Sequence, residues 1–411
     1  MRYGLVGKSL SHSYSKTIHG FLGNGDYELL ELPPDALEGF LRRADFLGIN
    51  VTIPYKEIAM RYCEPDEAAR EIGCVNTIVN KGGRLLGSNT DYFGFRYMAQ
   101  SAGVDLAGKK VLVLGGGGAS KTAVRAALDM GAREVVVISR GGENNYGNID
   151  RHADSDALVN ATPVGMFPDN ARSPVSLRGF ERLSAALDVV YNPLRTRLLL
   201  EARELGAKTA SGLAMLVAQA ARAHRLFFGI EPDERAEHAQ IAEVLSKAEK
   251  HFSNVVLVGM PGCGKTTVGR ELAKSLDMGF ADTDQMIEAS AGRKVRDIIR
   301  EDGEPCFREL ERAAVAQAAA KTRRVIATGG GAVLSAENRN ALLQNGVVVF
   351  LERDLAGLAT EGRPLSADLH SLWRQRLPIY EGFCHHRVKV ADDLRETLRR
   401  ARDALFSCRG N

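Results

Sequence analysis

The sequence predicts an α/β protein built on parallel sheets and divided into more than one domain, and three observations carry that expectation. Val255–Val258 reads as a buried parallel strand and runs into Gly259-Met260-Pro261-Gly262-Cys263-Gly264-Lys265-Thr266, a match to G-x-x-x-x-G-K-[ST] ahead of a helical pattern over Val268–Leu276. Val111–Leu114 is a second such strand, followed by Gly115–Ser120 at the start of an alanine-rich helix. A phosphate loop normally follows the first strand of its domain, so one that begins at residue 259 implies that roughly 250 residues before it fold separately.

Composition narrows the function. A chain that is 45% hydrophobic and 26% charged is expected to be soluble and globular. Its 54 basic and 51 acidic residues nearly balance, which argues against a nucleic-acid surface and leaves room for small anionic ligands. The longest apolar runs, such as Val347–Leu351, are strand-sized, and the chain opens directly into a strand, so neither a membrane span nor a signal peptide is expected and the cytoplasm is the expected compartment. The six cysteines contain no C-x-x-C, so reduced thiols are expected rather than a zinc site or a disulfide framework.

In chain order, Tyr3–Val6 reads as a strand leading to the hydroxyl-rich turn Ser9–Ser15 and a helix over Lys16–Leu22. Ser13 and Ser15 suit helix capping or a ligand equally well. Asn50-Val51-Thr52-Ile53-Pro54-Tyr55-Lys56 is a short strand stopped by proline, with a lysine at its mouth. Val75-Asn76-Thr77-Ile78 and Ser88-Asn89-Thr90-Asp91-Tyr92-Phe93-Gly94 place polar residues at two further strand or loop ends.

These pieces, H-S-x-S, N-V-T-x-P-x-K, V-N-T and N-T-D-x-x-G in this order, resemble shikimate dehydrogenase. The resemblance implies a catalytic pair, Lys56 and Asp91, and binding of the shikimate hydroxyls and carboxylate by Ser13, Ser15, Thr52, Asn76 and Asp91. Lys16 stands where the family commonly has proline, a change expected to alter the turn rather than the chemistry. Reducing a ketone with hydride leaves charge on oxygen, so an ammonium can donate a proton or stabilise the alkoxide while a carboxylate orients it. Lys56 is the expected acid.

Gly115, Gly116, Gly117, Gly118 and Ala119 open a helix that continues to Met130, Gly131 ends it, and Glu134–Ile138 forms the next strand, the β-Gly-rich-α-β unit of a dinucleotide fold. Where an acid would bond an NAD ribose stand Ser139 and Arg140, whose guanidinium suits a 2′-phosphate, so NADP is preferred. The family's usual Asn-Arg-Thr, helix and further strand are mostly absent. Nineteen residues separate Arg140 from Asn160, too few for a full helix before the strand Ala157–Val159.

The resemblance resumes at Asn160–Met166, Asp188–Pro193 and Gly212–Ala220. It implies Tyr191 and Gln219 on the substrate and nicotinamide side, with Gly212 and Met215 near the nicotinamide. On pattern alone Leu213, Leu216 and Val217 form a buried helix face. An amphipathic helix over Glu234–His251, with Ile241, Val244, Leu245 and Ala248 on one side, closes this half, and a few residues around Lys250–Asn254 join it to the next.

In the phosphate loop, Gly262, Cys263, Gly264, Lys265, Thr266 and Thr267 are expected to hold ATP, with Lys265 reaching the β and γ phosphates and Thr266 ligating Mg2+. Phe280–Asp284 reads as a strand end whose spacing puts Asp282 and Asp284 on one face, for Mg2+ and for a hydroxyl awaiting phosphorylation. Phe307–Glu311 lies on a helix, Val325–Thr328 is a strand ending in Gly329-Gly330-Gly331, Gly362–Leu365 is a loop, and Arg376 and Tyr380 follow on a helix.

This half resembles shikimate kinase along essentially its whole length, through the phosphate loop, D-T-D, F-R-x-x-E, the triple glycine, R-P-L and R-x-x-x-Y in family order. The resemblance implies Asp284, Arg308, Gly329, Gly330, Gly331 and Arg376 at shikimate, Asp282 in the metal region and Arg363 on a mobile lid over ATP. A carboxylate suits the forked donors of Arg308 and Arg376. Lys265 and Arg363 would hold the γ-phosphoryl charge, while Asp284 would orient the attacking hydroxyl and accept its proton. Only eleven residues separate Leu351 from Arg363, so the lid is expected to be short.

The expected architecture is a substrate domain over 1–100, completed by helices in about 213–250, a Rossmann-like NADP domain over 101–212, and a P-loop kinase domain with a parallel sheet over 251–411. The resemblances imply a bifunctional enzyme of chorismate biosynthesis. NADPH would reduce 3-dehydroshikimate to shikimate, and ATP with Mg2+ would phosphorylate the 3-hydroxyl. Two other readings are a quinate/shikimate dehydrogenase of broad cofactor use fused to a related small-alcohol kinase, and an inactive nucleotide-binding regulator. Neither nucleic acid nor membrane is an expected partner, and the sequence leaves the oligomeric state open.

Overall fold

Short β-branched runs bounded by glycine, proline or asparagine become strands of a few residues, and the longer alanine- and leucine-rich stretches become the helices that cover them. The computed structural model describes residues 2–231, 233–355, 358 and 369–406. Its packing divides the chain into two units, Met1–Lys250 and His251–Asn411.

The first unit holds two sheets. Strands β1 (Tyr3–Gly7), β2 (Tyr27–Glu31), β3 (Gly48–Val51), β4 (Glu64–Pro65), β5 (Thr77–Lys81) and β6 (Arg84–Ser88) lie in the order β2-β1-β3-β5-β6-β4. β1 is parallel to both its neighbours, and β5 runs antiparallel to β3 and β6. Strands β7 (Lys110–Leu114), β8 (Glu134–Ile138), β9 (Ala157–Asn160), β10 (Ala185–Asp188) and β11 (Lys208–Ser211) form an all-parallel sheet in the order β11-β10-β9-β7-β8.

Because β7 lies between β8 and β9, successive crossovers leave it in opposite directions, and a crevice opens beyond its carboxyl end, where the glycine-rich turn stands. Between β8 and β9 the chain makes turns and one 3-10 turn at Ile149–His152 but no α-helix, in keeping with the short spacing. Helix Glu234–Phe252 ends the unit, and only Ser253 separates it from the first strand of the second.

The second unit is built on one all-parallel sheet of β12 (Asn254–Val258), β13 (Gly279–Asp282), β14 (Arg324–Ala327), β15 (Gly346–Glu352) and β16 (His386–Lys389), in the order β13-β14-β12-β15-β16. Val256, Leu257, Ile326, Val348, Val349 and Phe350 are fully buried at its centre, as both faces of a helix-covered parallel sheet require. Among the described residues no helix is long and apolar enough to cross a membrane.

Candidate active sites

In the first unit, the register of β3 against β5 sets Asn50 opposite Thr77. Asn50 Nδ2 donates to Thr77 Oγ1 at 3.0 Å, and its Oδ1 accepts from the Tyr27 hydroxyl at 2.7 Å. Next to it, Asn76 Oδ1 accepts from the backbone N–H of Thr90 at 2.7 Å. That bond fixes the start of helix Thr90–Ser101, whose first turn carries Asp91. Lys56, the first residue of the short helix Lys56–Ala59, meets this turn with its Nζ 2.5 Å from Asp91 Oδ2, and the two side chains are 17% and 11% exposed. A lysine and a carboxylate this sheltered keep a proton donor and its orienting base together away from bulk water.

Gly94, one turn further on, decides how close this helix lies to Gly212–Phe228. A Cβ at Gly94 would stand 2.6 Å from Met215 O and 3.1 Å from Gln219 Cβ, so only glycine permits the approach. The approach brings Thr90 Oγ1 within 3.3 Å of Gln219 Oε1. Tyr191 is half-buried and lies against Tyr14 at 5.2 Å between ring centroids, and desolvation raises its phenol pKa against an opposing hydrogen bond with Ser13.

On the facing side, Gly117 caps helix Gly118–Asp129 without a side-chain bond. A helix that begins this way presents open N–H groups to an anion. The Cβ position of Gly118 is 3.8 Å from Lys56 Cδ, so the helix begins beside the lysine. Ser139 and the exposed Arg140 follow directly after β8.

In the second unit, β12 runs into the phosphate loop and helix Lys265–Ser275. Lys265 Nζ donates to Gly259 O at 2.8 Å and Met260 O at 2.9 Å. Thr266 Oγ1 donates to Asp282 Oδ2 at 2.6 Å, while Asp282 Oδ1 accepts from the N–H groups of Asp284 and Gln285 at 3.1 and 3.2 Å.

Around the Gly329–Gly331 turn several groups converge. A Cβ at Gly329 would stand 2.8 Å from Asp284 Oδ1 and 3.0 Å from Glu311 Oε1, and one at Gly331 would stand 2.7 Å from Arg308 Nη1. Glycine at these positions keeps open the space that those side chains surround. Asp284 Oδ1, Glu311 Oε1 and Arg376 Nε are buried without a partner among the described residues, the pattern of a polar site shaped for a ligand. Burial, reinforced by Asp282 and opposed by Lys265, pushes the Asp284 carboxyl up to about 6. The Tyr380 hydroxyl donates to Gly330 O at 2.6 Å and holds the turn in place.

Residues 5–78 match the family model of the shikimate dehydrogenase substrate binding domain, and residues 261–405 match that of shikimate kinase. A shikimate dehydrogenase (NADP(+)) of Clostridium perfringens is 37% identical over 257 residues, covering 57% of this chain and 95% of that protein. The chain belongs to the shikimate dehydrogenase family. It is a fusion, with a shikimate kinase domain as its second unit.

Among solved structures, the shikimate dehydrogenase of Thermus thermophilus in complex with NADP(H) and shikimate covers 60% of this chain and 99% of its own, with 35% identity and a TM-score of 0.54. A chorismate mutase/shikimate dehydrogenase fusion from Clostridium acetobutylicum covers 60% of this chain and 96% of its own, with 34% identity and a TM-score of 0.56.

Against the sequence expectations for this dehydrogenase–kinase fusion, one geometric argument is corrected. Asp282 and Asp284 do not share the face of a strand. β13 ends at Asp282, which caps the helix Thr283–Ala291, and Asp284 sits in that helix's first turn. The Asp282 side chain captures the helix's free N–H groups and so stops the strand two residues early. Arg363 and its loop lie outside the described residues.

Two groups that the motifs contained but the sequence reading did not assign prove central. Glu311 closes F-R-x-x-E and bonds Arg308 Nη1 at 2.8 Å, while Glu304 holds Arg308 Nη2 at 2.8 Å from the other side. Asp188 is buried at the end of β10 and accepts from Asn160 Nδ2, the Val190 N–H and Thr196 Oγ1 at 3.0, 3.0 and 2.6 Å.

Proposed function

We infer that the first unit reduces 3-dehydroshikimate to shikimate with NADPH, and that the second transfers the γ-phosphoryl of ATP to the 3-hydroxyl of shikimate. The observation that carries the reading is the sheltered Lys56–Asp91 pair beside the first glycine of the dinucleotide helix. Lys56 donates a proton to the carbonyl oxygen as negative charge develops there, and Asp91 orients both the lysine and the substrate hydroxyl. Ser13, Ser15, Thr52, Asn76, Tyr191 and Gln219 hold the remaining polar groups of the substrate. Gly115–Ala119 would hold NADPH, with Ser139 and Arg140 receiving the 2′-phosphate and Gly212 and Met215 the nicotinamide, and the bound cofactor would supply the hydride.

In the kinase unit, Arg308 and Arg376 take the shikimate carboxylate, and the Gly329–Gly331 turn leaves room for the ring. Asp284 orients the 3-hydroxyl and accepts its proton, its carboxyl raised to about 6 and therefore basic enough to do so at neutral pH. Gly262–Thr267 cradle the ATP phosphates, with Lys265 and Arg363 at the γ-phosphoryl group. The Thr266 hydroxyl and the Asp282 carboxylate, 2.6 Å apart, form an oxygen donor set suited to Mg2+, which would neutralise phosphate charge there. Both reactions draw on freely diffusing nucleotides, and the cytoplasm is the proposed compartment.

The test uses the full chain and two variants. NADPH oxidation with 3-dehydroshikimate and ADP release with shikimate are followed in wild type, Lys56→Ala and Lys265→Ala. Each variant is expected to lose one activity and keep the other. Reduction surviving in Lys56→Ala, or phosphorylation surviving in Lys265→Ala, would sink the corresponding half of the reading.

A further inference from the structure

The stretch between Arg140 and β9 has no α-helix to give it shape, and it lies over a cavity of about 370 Å³ lined in part by Tyr146, Ile149, Val175 and Phe180. Tyr146 and Ile149 pack against the core beneath, and the backbone between Ser139 and Asn148 is held by hydrogen bonds. Those bonds come chiefly from three asparagines and a histidine.

Asn148 Oδ1 accepts from the Asn145 N–H at 2.8 Å, and Asn148 Nδ2 donates to Glu143 O at 2.9 Å. Asn145 uses its Oδ1 on the Gly147 N–H at 2.9 Å and its Nδ2 on Gly142 O at 3.3 Å. Asn144 Oδ1 lies 3.0 Å from His152 Nε2, and Asn144 O accepts from the Ser139 N–H at 3.1 Å. The last bond folds the loop back onto the residue that precedes Arg140. Arg140 thus stands exposed at the base of a loop whose backbone is tied at each side.

We propose that Asn144, Asn145, Asn148 and His152 are positioning residues that set the backbone of Ser139–Gly142, so that Arg140 meets the 2′-phosphate of NADP, and that they determine the preference for NADPH over NADH. The proposal rests on the reading that Arg140 receives that phosphate. An exposed arginine on a pre-set backbone has less freedom left to lose when it pairs with a phosphate, and untying the loop weakens that pairing alone.

The test measures KM and kcat of the full chain with NADPH and with NADH, and binding of adenosine 2′,5′-bisphosphate against 5′-AMP, with shikimate phosphorylation used to normalise enzyme concentration. Asn148→Ala and His152→Ala are expected to raise KM for NADPH about tenfold and weaken the bisphosphate to a similar degree, with KM for NADH, kcat and 5′-AMP binding within about twofold of wild type. Asn148→Asp keeps the acceptor for the Asn145 N–H and is expected to recover part of the loss. Arg140→Ala is expected to remove the preference.

An unchanged preference in Arg140→Ala would overturn the underlying reading. A preference lost in Arg140→Ala but kept in both Asn148→Ala and His152→Ala would overturn the clasp and leave the arginine in its role. Equal losses with both cofactors, or with both nucleotides, would make the loop a structural support only and also overturn the proposal.

Discussion

Asp282 and Asp284 stand one residue apart in opposed surroundings. Asp282 accepts three hydrogen bonds, from Thr266 and from the N–H groups of Asp284 and Gln285, whereas Oδ1 of Asp284 is buried with none among the described residues. The first carboxylate holds the phosphate loop to the next helix, and the second keeps one oxygen without a partner among the described residues, as the proposed base requires. The opposition has a consequence in pH. The Asp284 carboxyl is raised to about 6 and is useful as a base only when ionised, so phosphorylation kcat/KM should fall about tenfold per pH unit below about 6. A profile flat to about pH 5 would contradict that role.

The same residue links activity to stability. A carboxyl whose folded pKa lies above its unfolded value of 3.8 loses stability as pH rises from that value towards about 6. Asp284→Asn should therefore abolish phosphorylation while raising stability at pH 7 by roughly 1–3 kcal/mol, checked by denaturant unfolding followed in the kinase unit.

Arg308 is held from two sides by acids of unequal burial, Glu311 with its side chain 2% exposed and Glu304 with 51%. The exposed pair is worth little, and the buried one sets the guanidinium. Glu311→Gln is expected to raise KM for shikimate about tenfold and Glu304→Gln less than about twofold, measured on the full chain with ATP saturating. Equal effects would remove Glu311 from the orienting role.

Gly94→Ala tests the helix approach in the dehydrogenase. The added methyl meets the Met215 carbonyl at 2.6 Å, a backbone atom that cannot turn aside. The first unit should lose about 1–3 kcal/mol and most of its reductase activity, because Asp91 and Gln219 are carried on the two helices forced apart. Phosphorylation should be unaffected, and activity near wild type in both assays would show that the helices adjust freely.

Burial pushes the Asp188 carboxyl up to about 7 although it accepts three hydrogen bonds. Its folded pKa exceeds its unfolded one, so it withdraws stability as pH climbs from about 4 to about 7. Asp188→Asn should narrow that loss, so that thermal scans of wild type and variant diverge above about pH 7 in favour of the variant and converge or reverse near pH 5. A variant less stable at both pH values would show that the three donors need the charge.

Much of this protein is written locally. The strand Val255–Val258, the glycines behind it and Lys265 follow from backbone rules that act over a few residues, and so do the glycine turn at Gly115 and the absence of a helix after Arg140. Family order of the motifs brought Lys56, Asp91, Asp284, Arg308 and Arg376 into view. The distances between them belong to the tertiary structure.

Lys56 and Asp91 are 35 residues apart in the chain and 2.5 Å apart in space because Asn76 fixes the start of one helix and Gly94 lets it settle against another. Asp284 became a helix residue rather than a strand residue because Asp282, the last residue of β13, captures free N–H groups with its side chain, and that capture competes with strand extension in a contest that spacing alone does not reveal. The sequence determined which chemistry the chain carries. Packing decided which polar groups are satisfied by neighbours and which are left for a ligand, since burial and hydrogen-bond partnership depend on elements that meet only when the chain has folded.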